Sequence, residues 1–151
     1  VLGSAEAVEH TALGKRDFTF MAPRRSGPKA MGLAGVTHQD IDMCMIYDSF
    51  TITVLCTLED LGFCAKGEGG AFVSGGRIAL GGELPVNTDG GGLSSNHPGM
   101  RGIFLLLEAT RQLRGEAGER QVPDCRIALC HGTGGGIGNR HSGGTVILAR
   151  D

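Results

Sequence analysis

Glycine is concentrated in three segments of this sequence, and those segments limit where secondary structure can form. Of the 151 residues, 27 are glycine, well above the ~7% that is usual for globular proteins. The glycines cluster at residues 67–82, 90–102 and 132–144 without a fixed period, so neither a collagen helix nor a repeat array fits. Glycine allows a backbone to turn tightly or to approach a ligand closely. The three segments therefore predict loops, and the core elements must lie between them.

Short apolar runs between the glycine segments predict the strands of a buried sheet. Residues 43–47 (MCMIY) and 126–130 (RIALC) are almost wholly apolar, which is typical of strands covered on both faces. Residues 1–9 and 144–149 predict two further strands, and shorter strands could form around 71–73 and 78–80. Because these strands are interrupted by helical segments, the pattern predicts a layered α/β domain.

Three segments carry the apolar spacing of helices. Residues 27–35 and 51–61 predict helices that are closed by Gly35 and Gly62. The strongest pattern lies at residues 100–114, where apolar side chains recur every turn. We expect this helix to be mostly buried. Its apolar stripe would consist of Ile103, Leu106, Leu107, Thr110 and Leu113, widened by Phe104 and Leu105.

Charge and cysteine content exclude several classes of protein. The net charge is −2, from 14 basic and 16 acidic side chains, which argues against a dedicated nucleic-acid-binding or membrane-surface protein. No apolar run approaches the ~20 residues of a membrane span, and the first residues, VLGSAEAVEH, lack the features of a signal peptide. Five cysteines without a Cys-x-x-Cys pair favour the reducing cytoplasm over a disulfide framework or a zinc ribbon.

Polar side chains stand at three junctions where predicted elements meet loops. Tyr47-Asp48-Ser49-Phe50 follows the strand at 43–47, and Cys130-His131-Gly132-Thr133-Gly134 follows the strand at 126–130. Asn96-His97-Pro98-Gly99 directly precedes the strongest helix, and Pro98 favours a stiff first turn that would present His97. Ligands of α/β sheets bind at the carboxyl ends of strands. Three such junctions with an ionisable or donor group predict one functional site.

Each of these residues also has a purely structural interpretation. Tyr47 could be a core tyrosine with a satisfied hydroxyl, and Cys130 a small buried hydrophobe. His131 and His141 could simply be exposed in a glycine loop. The cysteines expected to pack in the core are Cys44, Cys56 and Cys64. The glycine loops lack the G-x-x-x-x-G-K-[ST] and G-x-G-x-x-G patterns of nucleotide sites, and no residue spacing predicts a metal site.

Four motifs, in order, resemble those of the thiolase family. NHPG before the long helix resembles the thiolase GHP motif, and RIALCHG resembles the thiolase Cys-x-Gly strand end. QLRGEAGERQVPDCRIAL is close to the corresponding stretch of sterol-carrier-type thiolases. DIDMCMIYDSF stands where thiolases have Asn-Glu-Ala-Phe or His-Asp-Cys-Phe. The order and the approximate spacing match from about Gly27 to the end of the chain.

The resemblance implies the C-terminal half of a thiolase. That half is one βαβαββ-type domain of the layered αβαβα fold, a mixed sheet with helices on both faces. His97 would be the base that activates a thiol, and Cys130 the acid/base at the substrate α-carbon. The residues that would bind the substrate or its oxyanion are Asn96, His131, Gly132 and Gly134. Coenzyme A would be part of the substrate, and neither a bound cofactor nor a metal is implied.

Two departures from the family pattern matter for function. The nucleophilic cysteine of thiolases belongs to an N-terminal domain that this chain does not contain. Residues 1–151 would therefore be the C-terminal domain of a longer enzyme, with an apolar face that the missing half covers. Tyr47 replaces the family's Asn or His, which resembles lipid-transfer-type aldolases that cleave steroid side-chain CoA esters with tyrosines as acid/base groups. Those aldolases usually carry tyrosine where this chain has His97.

Three functions remain open on these residues. The first is a thiolase-type acyltransferase that makes or breaks a C–C bond of a 3-oxoacyl-CoA, and the second is a retro-aldolase acting on a β-hydroxyacyl-CoA. The third is a non-catalytic lipid-transfer or scaffold subunit. The proton-active group that each of the three junctions keeps argues against this third function, since a decayed site would be expected to lose some of them. The resemblance further implies a homodimer and, as in many bacterial thiolases, a small OB-fold zinc-ribbon partner protein.

Overall fold

The computed structural model describes residues 1–9, 17–96, 99–135 and 142–150, which contain a four-stranded mixed sheet. Its strands are β1 (Gly3–Val8), β2 (Met43–Ile46), β3 (Ile127–Gly134) and β4 (Ser142–Ala149). They are arranged in the order β1-β4-β3-β2. β2 and β3 run parallel, whereas β4 is antiparallel to both of its neighbours. The four main strands predicted from apolar runs are confirmed, and β3 extends further into the glycine segment than predicted.

The described residues form four α-helices. These are α1 (Pro23–Ala34), α2 (Thr51–Leu61), α3 (Gly69–Val73) and α4 (Gly102–Arg114). α2 has the predicted bounds, whereas α1 begins at Pro23, a proline in the first turn where its missing N–H costs no hydrogen bond. Gly35 (φ 70°) and Gly62 (φ 91°) end α1 and α2 in the left-handed conformation that glycine adopts readily.

Helices cover both faces of the sheet, because successive strand residues point to opposite sides. On one side, here called the α4 face, α4 packs against β2 and β3 over Met45, Leu105 and Cys130. On the other side, called the α1 face, α1 packs against β1 and β4, and α2 packs against α1, over Ile46 and Leu129. The layered α/β arrangement with a mixed sheet and helices on both faces is thus confirmed.

The segment after α2 differs from its prediction. The short strands expected around 71–73 and 78–80 are absent; Gly69–Val73 is α3, Ser74–Gly76 is a 3₁₀ turn, and turns follow. Glu59 Oε1 accepts a hydrogen bond from Gly69 N at 2.9 Å, which satisfies a donor at the start of α3. Three apolar residues between glycines are too few for periodicity to separate a strand from one helical turn.

The orientation of α4 also differs from its prediction. The buried side chains of this helix are Leu105, Glu108, Ala109, Gln112 and Leu113. Two residues of the expected stripe, Ile103 and Leu107, are 51% and 48% exposed. The helix is rotated because Glu108 and Gln112 are buried in a hydrogen-bonded network, which an apolar pattern cannot indicate.

None of the helices formed by the described residues combines the length and the apolar character that a membrane crossing requires.

Candidate active site

The site lies where the parallel strands β2 and β3 end side by side. Ile46 pairs with His131, and Tyr47 N then donates to His131 O at 2.9 Å. The first and third polar junctions of the sequence are therefore direct neighbours, as expected for the carboxyl ends of parallel strands. Beside them opens a cleft of about 400 Å³. Its walls are formed by Tyr47, by residues 99–102 before and at the start of α4, and by residues 132–135 of and after β3.

Tyr47 belongs both to the core and to the cleft. Its side chain is only 9% exposed and packs in the apolar cluster of the α4 face together with Met45 and Leu105. It also lines the cleft. Tyr47 is therefore both a core tyrosine and a residue of the site, since its ring packs in the core at the wall of the cleft.

The glycines at the end of β3 form a further part of the cleft wall. Gly132 and Gly134 line the cleft together with Thr133 and Gly135. A Cβ at Gly132 would meet only Gly102 Cα, at 3.9 Å. A side chain here would project towards the start of α4, so glycine keeps the cleft open and leaves backbone accessible to a ligand.

Cys130 lies beneath the cleft. Its side chain is 3% exposed, and its Sγ donates to Leu105 O at 3.6 Å. Burial raises the pKa of the Cys130 thiol to about 12. The thiol is therefore protonated at neutral pH, and Cys130 is not among the residues that line the cleft.

His131 points away from the cleft, into the α1 face. It is fully buried in β3, so the interpretation of His131 as an exposed loop residue is wrong. Its Nδ1 is 2.8 Å from Thr145 Oγ1, which in turn is 2.8 Å from Ser26 Oγ. Burial lowers the pKa of His131 to about 4, so the imidazole is neutral at pH 7. Its side chain does not join Tyr47 in the cleft.

The second polar junction is described in part. Asn96 is exposed and does not line the cleft, whereas Gly99 and Met100 do. His97 and Pro98 lie outside the described residues, as does His141. The role expected for His97 therefore stays a prediction.

Two charged residues of the site were not recognised as functional candidates in the sequence. Arg101 lines the cleft, its side chain is buried, and its Nη2 donates to Asp89 Oδ2 at 2.8 Å. Asp48, next to Tyr47, is buried and accepts hydrogen bonds from the backbone of Gly92 and Leu93. In the sequence, the opposite charges of Asp89 and Arg101 on either side of a glycine loop are the feature that indicates such contacts.

Acidic, histidine and cysteine side chains do not converge on a metal-like site in the described part of the chain. No group of three or more such residues there has the geometry to hold an ion. Among the described residues that line the cleft, the groups available for chemistry are the phenol of Tyr47, the hydroxyl of Thr133, backbone N–H and C=O groups, and the buried guanidinium of Arg101 just before α4.

Comparison with known proteins assigns the chain to a family. A family model described as "Thiolase C-terminal domain-like" matches residues 5–150. An acetyl-CoA acetyltransferase of Methanothermobacter thermautotrophicus is 40% identical over 151 residues, covering 98% of this chain and 38% of that protein. Human sterol carrier protein 2 is 39% identical over 121 residues, covering 78% of this chain and 22% of that protein.

Two further relatives are named as lyases or aldolases. A 17-hydroxy-3-oxo-4-pregnene-20-carboxyl-CoA lyase of Mycobacterium tuberculosis is 38% identical, covering 77% of this chain and 32% of that protein. A solved structure titled "Ltp2-ChsH2(DUF35) aldolase" superimposes with a TM-score of 0.81 at 31% identity. The match covers 97% of this chain and 38% of that chain.

The chain spans at most 38% of the length of these relatives. The family match extends over nearly all of its residues, and the sheet, the covering helices and the four motifs agree with it. This chain belongs to the thiolase C-terminal domain-like family.

Proposed function

We propose that the longer protein to which this chain belongs breaks or forms a carbon–carbon bond beside the thioester carbonyl of an acyl-CoA. The proposal rests on family membership and on the cleft at the ends of β2 and β3, which Tyr47 lines together with residues 132–135. Two relatives of this chain are named as an acetyltransferase and as a CoA lyase. Both names fit chemistry beside a thioester.

Such chemistry needs an oxyanion site and a proton carrier. Breaking the bond next to the thioester leaves its electron pair on an enolate, whose oxygen must be stabilised by aimed donors. A protein group must also take a proton from the substrate and return one to carbon. Glycine backbone at Gly132 and Gly134 can come close to such an oxygen, and Tyr47 carries an exchangeable proton in the same cleft.

Retro-aldol cleavage of a β-hydroxyacyl-CoA is the reaction that this geometry supports best. The observation that carries it is that Tyr47 lines the cleft whereas Cys130 lies buried beneath it with a raised pKa. In this reaction the β-hydroxyl loses its proton, the Cα–Cβ bond breaks, and a ketone or aldehyde forms at Cβ. The electron pair of the broken bond becomes the enolate, which takes a proton at Cα. Tyr47 exchanges protons with the substrate in this scheme.

Thiolase-type Claisen chemistry on a 3-oxoacyl-CoA is the second candidate. It is favoured by the Asn96-His97-Pro98-Gly99 motif and by 40% identity to a protein named acetyl-CoA acetyltransferase. His97 would activate a nucleophilic thiol from an N-terminal domain, and Cys130 would exchange the α-carbon proton. The thiol of Cys130 would then have to reach the substrate from beneath Gly132.

The proposed assembly follows from the same family. We expect an N-terminal thiolase domain to carry the nucleophile and the whole enzyme to form a homodimer. A small OB-fold zinc-ribbon protein is the expected partner subunit; the aldolase structure with a TM-score of 0.81 is titled as Ltp2 with ChsH2(DUF35). All five cysteines of this chain are unpaired, which supports a reducing compartment such as the cytoplasm.

The experiment uses the full-length protein and mass spectrometry of its products. It is incubated with a β-hydroxyacyl-CoA, and separately with a 3-oxoacyl-CoA with and without free CoA. Release of a ketone or aldehyde without free CoA supports retro-aldol cleavage. A shortened acyl-CoA that forms only with free CoA supports thiolysis and contradicts the aldolase. A bound lipid without turnover of either substrate would point to lipid transfer and contradict both reactions.

A further inference from the structure

The carboxylate of Asp48 binds the backbone of the glycine-rich loop at residues 90–96. Asp48 follows Tyr47 at the end of β2 and is 5% exposed. Its Oδ1 accepts a hydrogen bond from Gly92 N at 2.7 Å, and its Oδ2 accepts one from Leu93 N at 3.1 Å. Both oxygens are thus engaged with the backbone of the glycine segment that leads towards Asn96 and His97. A carboxylate that accepts two backbone N–H groups makes a strong, directed contact.

The loop is shaped to receive this carboxylate. Gly91 has a φ of 70°, and a Cβ on Gly91 would overlap Asp48 Oδ2. A Cβ on Gly92 would lie 2.9 Å from Asp48 Oδ1. Glycine is therefore required at both positions by the proximity of Asp48, and at Gly91 by its backbone conformation as well.

The start of the same loop is held by three further contacts. Asn87 Oδ1 accepts from Ile46 N at 2.8 Å, Thr88 Oγ1 donates to Glu108 Oε1 at 2.9 Å, and Asp89 Oδ2 accepts from Arg101 Nη2 at 2.8 Å. These contacts tie residues 87–89 to β2, to α4 and to Arg101, the residue just before α4. After Leu93, the hydroxyls of Ser94 and Ser95 bond within the loop, to the backbone of Gly90 and Gly91.

We propose that Asp48 is a positioning residue that sets the path of residues 90–96 beside Tyr47 at the end of β2, and that the proposed reaction depends on this path. Through its two hydrogen bonds, Asp48 joins the end of β2 to the loop at Gly92 and Leu93, a few residues before Asn96. Because Asp48 directly follows Tyr47 in the chain, the end of β2 sets the position of both the phenol and the loop. The inference rests on the proposed function, since it assigns a role in that reaction.

The test compares Asp48→Asn with Asp42→Asn in the full-length protein. Asp42 lies just before β2, and its Oδ2 accepts from Arg126 N and Ile127 N, both at 2.8 Å, far from the loop. Each variant removes one carboxylate that caps backbone N–H groups at one end of β2. We expect Asp48→Asn to lower kcat by about 100-fold, as misplacement of a reacting group by about 1 Å does, with KM changed by less than about threefold. Asp42→Asn should keep both constants.

A second pair of variants tests the same contact from the loop. Gly91→Ala forces the Asp48 carboxylate away, whereas Gly35→Ala adds the same methyl at the same φ of 70° with no atom within 4 Å. The loss of kcat in Gly91→Ala should not add to that in Asp48→Asn, because both variants break one contact. Gly35→Ala should cost stability only.

Two readouts separate this inference from the proposed function. Hydrogen exchange at the amides of Gly92 and Leu93 should accelerate in Asp48→Asn, and the imidazole resonances of His97 should shift there but not in Asp42→Asn. Unchanged exchange and resonances, full activity of Asp48→Asn, or additive losses with Gly91→Ala would overturn the role of Asp48. If the wild-type protein cleaves neither acyl-CoA, the proposed function fails, while exchange and resonances still decide on Asp48.

Discussion

At the scale of single residues, Tyr47 and Cys130 differ in access to the cleft. Tyr47 lines it, and Cys130 lies beneath it with a pKa raised by burial. Tyr47→Phe keeps the ring that packs against Met45 and Leu105 and removes only the hydroxyl. Loss of a general acid/base costs ~100-fold or more in rate, so we expect Tyr47→Phe to lose retro-aldol cleavage by about that factor.

Cys130→Ser is the matched comparison for Tyr47→Phe. If the reaction is retro-aldol cleavage, Cys130→Ser should keep most of the activity. A strong loss in Cys130→Ser together with a fully active Tyr47→Phe would reverse the assignment and favour thiolase chemistry. Steady-state rates of product formation by the full-length variants provide the measurement.

His131 should make stability depend on pH. Burial lowers its pKa from 6.5 to about 4 in the folded protein, so the unfolded chain binds a proton first as pH falls. Stability is therefore lost between about pH 6.5 and about pH 4, and the loss from near pH 7 to near pH 5 should be about 2 kcal/mol. Denaturant unfolding at the two pH values measures it.

His131→Asn should flatten this pH dependence, because the amide can still meet Thr145 but does not titrate. An equally steep dependence in His131→Asn would mean that another group is responsible.

At the scale of secondary-structure elements, a polar network fixes α4. Glu108 is almost fully buried and accepts from Arg120 Nε and Nη2, both at 2.9 Å, and from Thr88 and Gln112. Burial alone would raise the pKa of Glu108, but the hydrogen bonds from Arg120, Gln112 and Thr88 lower it below its ordinary value. The carboxylate is therefore charged when it joins α4 to the neighbouring turns.

Glu108→Ala should destabilise the protein by about 2 kcal/mol, because the buried amide of Gln112 and the hydroxyl of Thr88 lose their acceptor. Glu116→Ala, at an exposed position just after α4, removes the same charge as a control and should cost less than about 0.5 kcal/mol. Free energies of unfolding from denaturant titrations measure both changes. Equal losses in the two variants would contradict a role for the network.

This network also explains why the sequence predicted the existence of α4 but not its orientation. The apolar spacing placed Ile103 and Leu107 on the buried side, whereas the fold buries Glu108 and Gln112 there. A charged residue is assigned to the surface unless its partners are known. Those partners, Thr88 and Arg120, lie in separate turns that only the fold brings together.

At the scale of the whole molecule, α4 carries an uncovered apolar surface. Met100, Ile103, Phe104 and Leu107 are exposed large apolar side chains at and before this helix. The expected occupant of this surface is the N-terminal thiolase domain of the longer protein. The chain by itself should then self-associate, and Ile103→Lys with Leu107→Lys should make it monomeric, as sedimentation would measure.

In the longer protein, the same double substitution should be destabilising. If the N-terminal domain covers α4, two buried lysines without partners should lower the melting temperature of the full-length protein. Lysines at Val8 and Leu33, which are exposed elsewhere on the domain, serve as the control. A monomeric wild-type chain, or a full-length protein that tolerates both lysines on α4, would contradict this arrangement.

The sequence by itself determined the four strands of the sheet, the main helices, the family and the polar junctions, because each depends on local spacing or on motifs within a short stretch. Tertiary structure alone decided that Tyr47 reaches the cleft while Cys130 and His131 do not. The side chains of Cys130 and His131 leave β3 on opposite faces, and which residues cover each face depends on packing between distant segments. Likewise, the sequence indicates only that Asp48 is a turn residue. The fold brings the backbone N–H groups of Gly92 and Leu93 to its carboxylate.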